Sequence, residues 1–305
     1  MPKHALSLLS AVLASTMPVA VQAAAEREAW TPTETALRAD AAGISLPQTV
    51  AGLSLSKSGE VSNGGKGIDN YAQYLSADGA VQATLYVYLP SYADASLAAH
   101  MTDRAIMARF GSKTRRTAYA SVSVAGSANG AIRAVYDDAA DGALTTAAAF
   151  VHAGRWIVKL RATGPAERRA EVLAGLDAMV SGLRFDHPAA IHRTAPANIA
   201  ACPTQDGPAR LTEANGAVST ALPLLPEGSG KLCVRGSVQT ADGSYDMLQQ
   251  SGVPNGAVIV PVDDAGTVLA FDPMPKGQGY QLSIHSVGQT DLYGVYDKVP
   301  DAGQI

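Results

Sequence analysis

The chain has 305 residues, 47% of them hydrophobic and 16% charged, with a formal net charge of −4. That is apolar material for one large or two ordinary cores, and two domains are expected at this length. The mild acidity argues against nucleic acid as a partner, because phosphate binding wants clustered lysine and arginine.

The amino terminus reads as an export signal. Lys3 and His4 form a short basic region, residues 5–20 an apolar one, and Val21-Gln22-Ala23 a small-x-Ala cleavage site. Cleavage after Ala23 removes Lys3 and takes the formal charge from −4 to −5. No later run reaches about 20 apolar residues, so no membrane span is expected after the signal is removed. A periplasmic or secreted location follows.

Residues 24–43 read as an Ala/Glu-rich tail and a short helix. Thr31-Pro32-Thr33-Glu34 supplies a cap, a proline at the first helical position and a capping-box glutamate, and Gly43 an end. Residues 46–55 read as extended. Asn63-Gly64-Gly65-Lys66-Gly67 lacks the Lys-Ser/Thr ending of a P-loop and reads as a hairpin tip.

From Tyr71 the pattern is a series of strands broken at dipeptides that favour two-residue hairpin turns: Asp78-Gly79, Asn129-Gly130, Asp141-Gly142 and Ala153-Gly154. In residues 84–89, Leu85, Val87 and Leu89 take one face and Tyr86 and Tyr88 the other. Left uncovered, that second face is a candidate binding surface of aromatic rings with polar tips; covered by a helix, it is core. Residues 94–110 read as a helix with Asp94 or Ser96 as cap and Gly111 as end. Its apolar residues fall on two sides, so it should touch more than one neighbour. Lys113, Arg115 and Arg116, with Arg104 and Arg109 upstream, read as a solvated helix end.

In residues 155–163, Trp156, Val158, Leu160 and Ala162 alternate with Arg155, Lys159 and Arg161, the pattern of a half-buried strand. After Gly164-Pro165, a stripe of Val172, Leu173, Leu176, Met179, Val180 and Leu183 marks a helix that needs a sheet to cover. Burying those side chains contributes at most about 10 kcal/mol.

The expected class is therefore α+β: an antiparallel sheet flanked by helices over residues 44–185, followed by a small all-β domain. The order of strand, strand, helix, four strands and helix, closing on Trp156-Ile157-Val158-Lys159-Leu160-Arg161 and an amphipathic helix, resembles the PsbP/Mog1-like α/β/α sandwich of DcrB-type proteins over about residues 46–185. The resemblance implies an accessory, binding or assembly role without catalysis.

Residues 186–200, with two prolines and no period, read as a linker. Residues 201–305 change to short alternating runs between Gly- and Pro-containing turns, a sandwich or partial barrel. Cys202 and Cys233 are the only cysteines, and in an oxidising compartment they are expected to bond, contributing roughly 3.5 kcal/mol. No histidine pair has metal-ligand spacing, and the acidic turns at Asp137-Asp138, Asp141 and Asp263-Asp264 lack the spaced oxygens of a calcium loop. His285 with Asp291 and a nearby hydroxyl imitates part of a hydrolytic triad, but no G-x-S-x-G elbow singles out a nucleophile. No metal, cofactor or catalytic residue is called for. The functional expectation is an exported non-enzymatic binding or envelope-assembly protein, whose partner is another envelope protein or a small ligand. The competing expectation is a periplasmic hydrolase or small-ligand carrier with its site between the domains.

Overall fold

The computed structural model describes residues 29–61, 67–197, 199–203, 209–220, 231–241, 243–251, 256–263, 266–286 and 289–305. The signal sequence with its cleavage site and all of the glycine-rich tip except Gly67 lie outside those residues.

The first surprise is local. Where capping signals predict a helix, the chain forms strands β1 (Trp30–Pro32), β2 (Ala36–Ala39) and β3 (Ile44–Pro47). Trp30, Leu37, Ala39, Ile44 and Leu46 are buried while their neighbours face outward, a period of two that overrides the cap. The Thr33 hydroxyl, read as helix-starting, instead bonds with the Ala36 backbone across the β1–β2 turn, donating to its carbonyl and accepting from its amide, both at 3.0 Å.

A second sheet begins with β4 (Thr49–Val50), β5 (Leu53–Glu60), β6 (Asp69–Leu75) and β7 (Gln82–Tyr88). Helix α1 (Ala95–Phe110) crosses to β8 (Arg115–Val124), and β9 (Ser127–Ala139), β10 (Leu144–Ala153) and β11 (Trp156–Pro165) return as hairpins. The eight strands pair antiparallel in the order β4-β5-β6-β7-β11-β10-β9-β8. One turn differs from expectation: Ala125 and Gly126 make the β8–β9 reversal, both at positive φ, and Asn129-Gly130 lies inside β9. Helix α2 (Arg169–Gly182) follows, then β12 (Arg184–Phe185), which joins β1, β2 and β3 in a four-stranded sheet.

Strand β10 is interior and covered on both faces, so it is buried nearly throughout and carries the unalternating run Ala147-Ala148-Ala149-Phe150-Val151 between Thr146 and His152. Ala147, Ala149 and Val151 share a core with Val172, Leu176 and Met179 of α2 and with the Trp30 to Leu46 strands. Ala148 and Phe150 pack instead on Ala95 and Ala99 of α1. The helix sits close: a Cβ on Gly175 would lie 2.7 Å from the Leu53 methyl.

The remainder forms one seven-stranded antiparallel sheet. Its strands are β13 (Leu211–Thr220), β14 (Leu232–Thr240), β15 (Gly243–Gln250), β16 (Val258–Pro261), β17 (Val268–Pro273), β18 (Tyr280–Ser286) and β19 (Gln289–Tyr296), ordered β13-β19-β18-β17-β16-β15-β14. Val238, Met247, Val260, Phe271 and Tyr280 pack on one face. The carboxy-terminal turn reaches both edges of the sheet: Gln304 exchanges two hydrogen bonds with the Ala209 backbone before β13, and Ala302 lies against Gly236 of β14.

The expected class does not hold. The chain is predominantly β, with three sheets and only two α-helices among the described residues, not an α+β sandwich flanked by helices. Two causes account for the difference. The amino-terminal segment pairs as strands instead of coiling, and each helix covers only part of a sheet eight strands wide. No helix of the described residues is long and apolar enough to cross a membrane.

Leu176 is fully buried between β10 and the amino-terminal strands. Leu176→Ala is expected to lower unfolding free energy by about 3 kcal/mol in urea titration; a loss under about 1 kcal/mol would contradict this packing.

Candidate functional site

Residues 186–200, read as a linker, form a strap fastened at both ends. Leaving β12, it makes a single 3-10 turn at Pro188–Ala190, and Ile191 bridges antiparallel to Ala153 at the end of β10. The His192 amide donates to the His152 carbonyl at 2.9 Å, and their imidazoles stack with ring centres 4.0 Å apart. The Thr194 amide donates to Asn129, the Ser121 hydroxyl to Thr194 and the Ser96 hydroxyl to Ala195. At the far end Ala201 bridges to Val234 of β14, and Cys202 is disulfide-bonded to Cys233. The expected pairing of the two cysteines is thus present, closing a sequence separation of 31 residues.

Between the strap, the start of α1 and the beginning of β14 lies a cleft of about 680 Å³. That size falls among small-molecule sites, which run to about 300–1,000 Å³. Ile199, Leu232 and the disulfide give it apolar walls; His152, His192, Arg193 and Lys231 give it basic ones. Its one carboxylate among the described lining residues is Asp94, which is engaged as the cap of α1, accepting from the Ser96 and Leu97 amides at 2.6 and 3.0 Å. Burial holds the Asp94 carboxyl above its ordinary range against the pull of those amides.

The cleft keeps its shape because α1 is packed on both sides. Opposite the β10 contacts, Leu97 and Met101 pack on Leu232, Leu248, Ile259 and Val268 of the seven-stranded sheet. Beside them Asp246, only 7% exposed, accepts from the Ser237 hydroxyl at 2.9 Å, lies 2.9 Å from the His100 ring and 3.5 Å from Arg104. The hydrogen bond from His100 holds the Asp246 carboxyl below the usual range, assisted by Ser237 and the charge of Arg104. A third contact needs glycine. Ser91 donates to the Gly266 carbonyl at 3.0 Å, Gly266 has φ +91, and a Cβ there would lie 2.2 Å from that of Pro90.

The other sequence candidates fall elsewhere. Tyr88 is 6% exposed against Ala93 and Ile157, and Tyr86 is half-buried with the Lys159 ammonium 4.8 Å from its ring centre. The segment leading into α1 covers this face, so of the two readings open for Tyr86 and Tyr88 the covered one applies to Tyr88, which is core, while Tyr86 makes a cation–π contact. The basic cluster disperses: Lys113 meets Asp141, Arg115 meets Asp138, and Arg116 meets Asp103, so basic stretch and acidic turn neutralise one another. No group of three metal-ligating side chains occurs among the described residues.

His285 has the serine and the acid of a triad in the wrong places. Its partner is Asp272, not Asp291. Both the Ser283 hydroxyl at 2.8 Å and the Asp272 carboxylate at 3.2 Å meet the same ring nitrogen, Nε2, while Thr290 meets Nδ1 at 3.1 Å. A relay needs serine and carboxylate on opposite nitrogens, and Ser283 is 1% exposed. The cluster joins β17, β18 and β19; it does not present a nucleophile. Comparison of the chain with known protein families and with curated proteins finds no match to either.

The Asp246 contacts carry a pH signature. A carboxyl whose folded pKa is depressed adds stability above its unfolded value, about 4, and that stability is lost as pH falls through the folded value. Asp246→Asn is expected to cost about 2 kcal/mol at pH 7 and to flatten the acid limb of the stability curve, so that the two proteins converge at low pH. Parallel curves in denaturant titrations across pH would contradict the assignment.

Proposed function

We propose that the protein is an exported, non-catalytic binding protein whose ligand is a small molecule held in the cleft beneath the strap. The observation that carries this reading is the cleft itself: about 680 Å³, bounded by a helix packed on two sheets and by a strap pinned at Ile191 and at Cys202. Walls fixed in this way need little ordering on binding, so more of the contact energy appears as affinity. Export is supported by the amino-terminal pattern and by the Cys202–Cys233 bond, which persists in oxidising compartments. The hydrolase reading loses support from the wiring of His285, while the carrier half of that alternative merges with the present one.

Native mass spectrometry of the protein purified gently from its source is expected to show a co-purifying small compound, absent after denaturation and refolding and excluded by Ala200→Trp in the cleft. A protein of bare polypeptide mass, or an adduct retained by Ala200→Trp, would contradict the reading. So would turnover of a compound bound there.

A further inference from the structure

From the charge balance of the cleft, we infer that its ligand is a small organic anion, a carboxylate or phosphate monoester on an apolar body, with Arg193 and Lys231 meeting the anionic head. This rests on the binding reading above and adds the ligand's class. Most arginines on the surface of the eight-stranded sheet and its helices are already matched to acids: Arg115 to Asp138, Arg116 to Asp103, Arg133 to Asp177, Arg168 to Asp78 and Glu171, and Arg169 to Asp137. Arg193 and Lys231 have no carboxylate partner among the described residues, yet both line the same cavity. The two cations come from different parts of the fold, Arg193 from the strap and Lys231 from the position preceding β14, and line one cleft because the strap is pinned to both sheets. The stacked imidazoles of His152 and His192 add ring nitrogens to the same wall.

Among the described lining residues opposing charge is confined to Asp94, whose Oδ1 is occupied by two amides of α1. A neutral ligand would leave the two cations that line this space without a counter-charge from the ligand. An anion resolves that and is recognised by charge-assisted hydrogen bonds, from the guanidinium fork in particular. Ile199, Leu232 and the Cys202–Cys233 bond supply the apolar part of the lining, which favours a hydrocarbon body over a bare inorganic ion.

The test uses the full mature protein and four probes by isothermal titration calorimetry: hexanoate, hexyl phosphate, inorganic phosphate and hexanol. Hexanoate or hexyl phosphate is expected to bind, with inorganic phosphate and hexanol each at least about tenfold weaker. Whichever of the two anions is preferred separates a carboxylate from a phosphate ligand. Arg193→Ala and Lys231→Ala should each weaken the preferred anion about tenfold, and Lys57→Ala, exposed on β5 and remote from the cleft, should not. Arg193 and Lys231 are exposed, so the variants should keep the parent melting temperature, which is measured alongside. Hexanol binding as tightly as hexanoate, or anion binding unchanged in both variants, overturns the anion assignment while leaving a binding role standing. Failure of every probe to bind up to about 10 mM overturns the assignment as well, and the mass-spectrometric adduct then decides separately whether the cleft is a site at all.

Discussion

The structure depends on helix α1 being claimed by two sheets at once. Ala95, Ala99 and Ile106 face the eight-stranded sheet through Ile132, Phe150 and Tyr136. Leu97 and Met101 face the seven-stranded sheet through Leu232, Leu248 and Ile259. A helix with an ordinary single apolar stripe would serve one of these and leave the other exposed. The division explains why α1 has a weak stripe, and why its polar residues His100 and Arg104 are spent on the buried Asp246 rather than on solvent. Burial also pushes the Tyr92 phenol, packed in the same contact, up to about 12.

Everything placed at the junction follows from that sharing. The strap can define a cleft only because α1 fixes how the two sheets face one another, and the Cys202–Cys233 bond pins its far end to β14. Cations contributed by the strap and by the position before β14 then line one cleft. The Ser283, His285 and Asp272 cluster is a bond between strands and is not among the described residues that line the cleft.

What the sequence made legible was local. The strand at Trp156, the stripe from Val172 to Leu183, the Asp94 cap and the disulfide all depend on near neighbours or on composition, and each stands where the pattern placed it, although the strand is buried on both faces, Lys159 included, and not half-buried as its alternation implies. What it hid depended on distant partners. The capping signals at Thr31 to Glu34 were locally sound but lost to pairing of β2 with β3 and of β3 with β12. Strands β13 and β15 carry no clean apolar alternation to mark them, and β15 buries Asp246 where alternation would put a carboxylate in solvent. Tyr86 and Tyr88 drew notice as aromatics on one face, yet whether that face is covered is decided by residues 90–98, which periodicity within β7 does not contain. The cleft had no signal at all: Arg193 sits in a run with no period, and Lys231 is an isolated lysine 38 positions further on.

The claim that α1 makes one cooperative body of both sheets is tested most directly by differential scanning calorimetry of the intact, oxidised protein. A shared helix predicts a single transition whose calorimetric and van't Hoff enthalpies agree. Two resolved transitions, with the seven-stranded sheet melting independently of the rest, would contradict it.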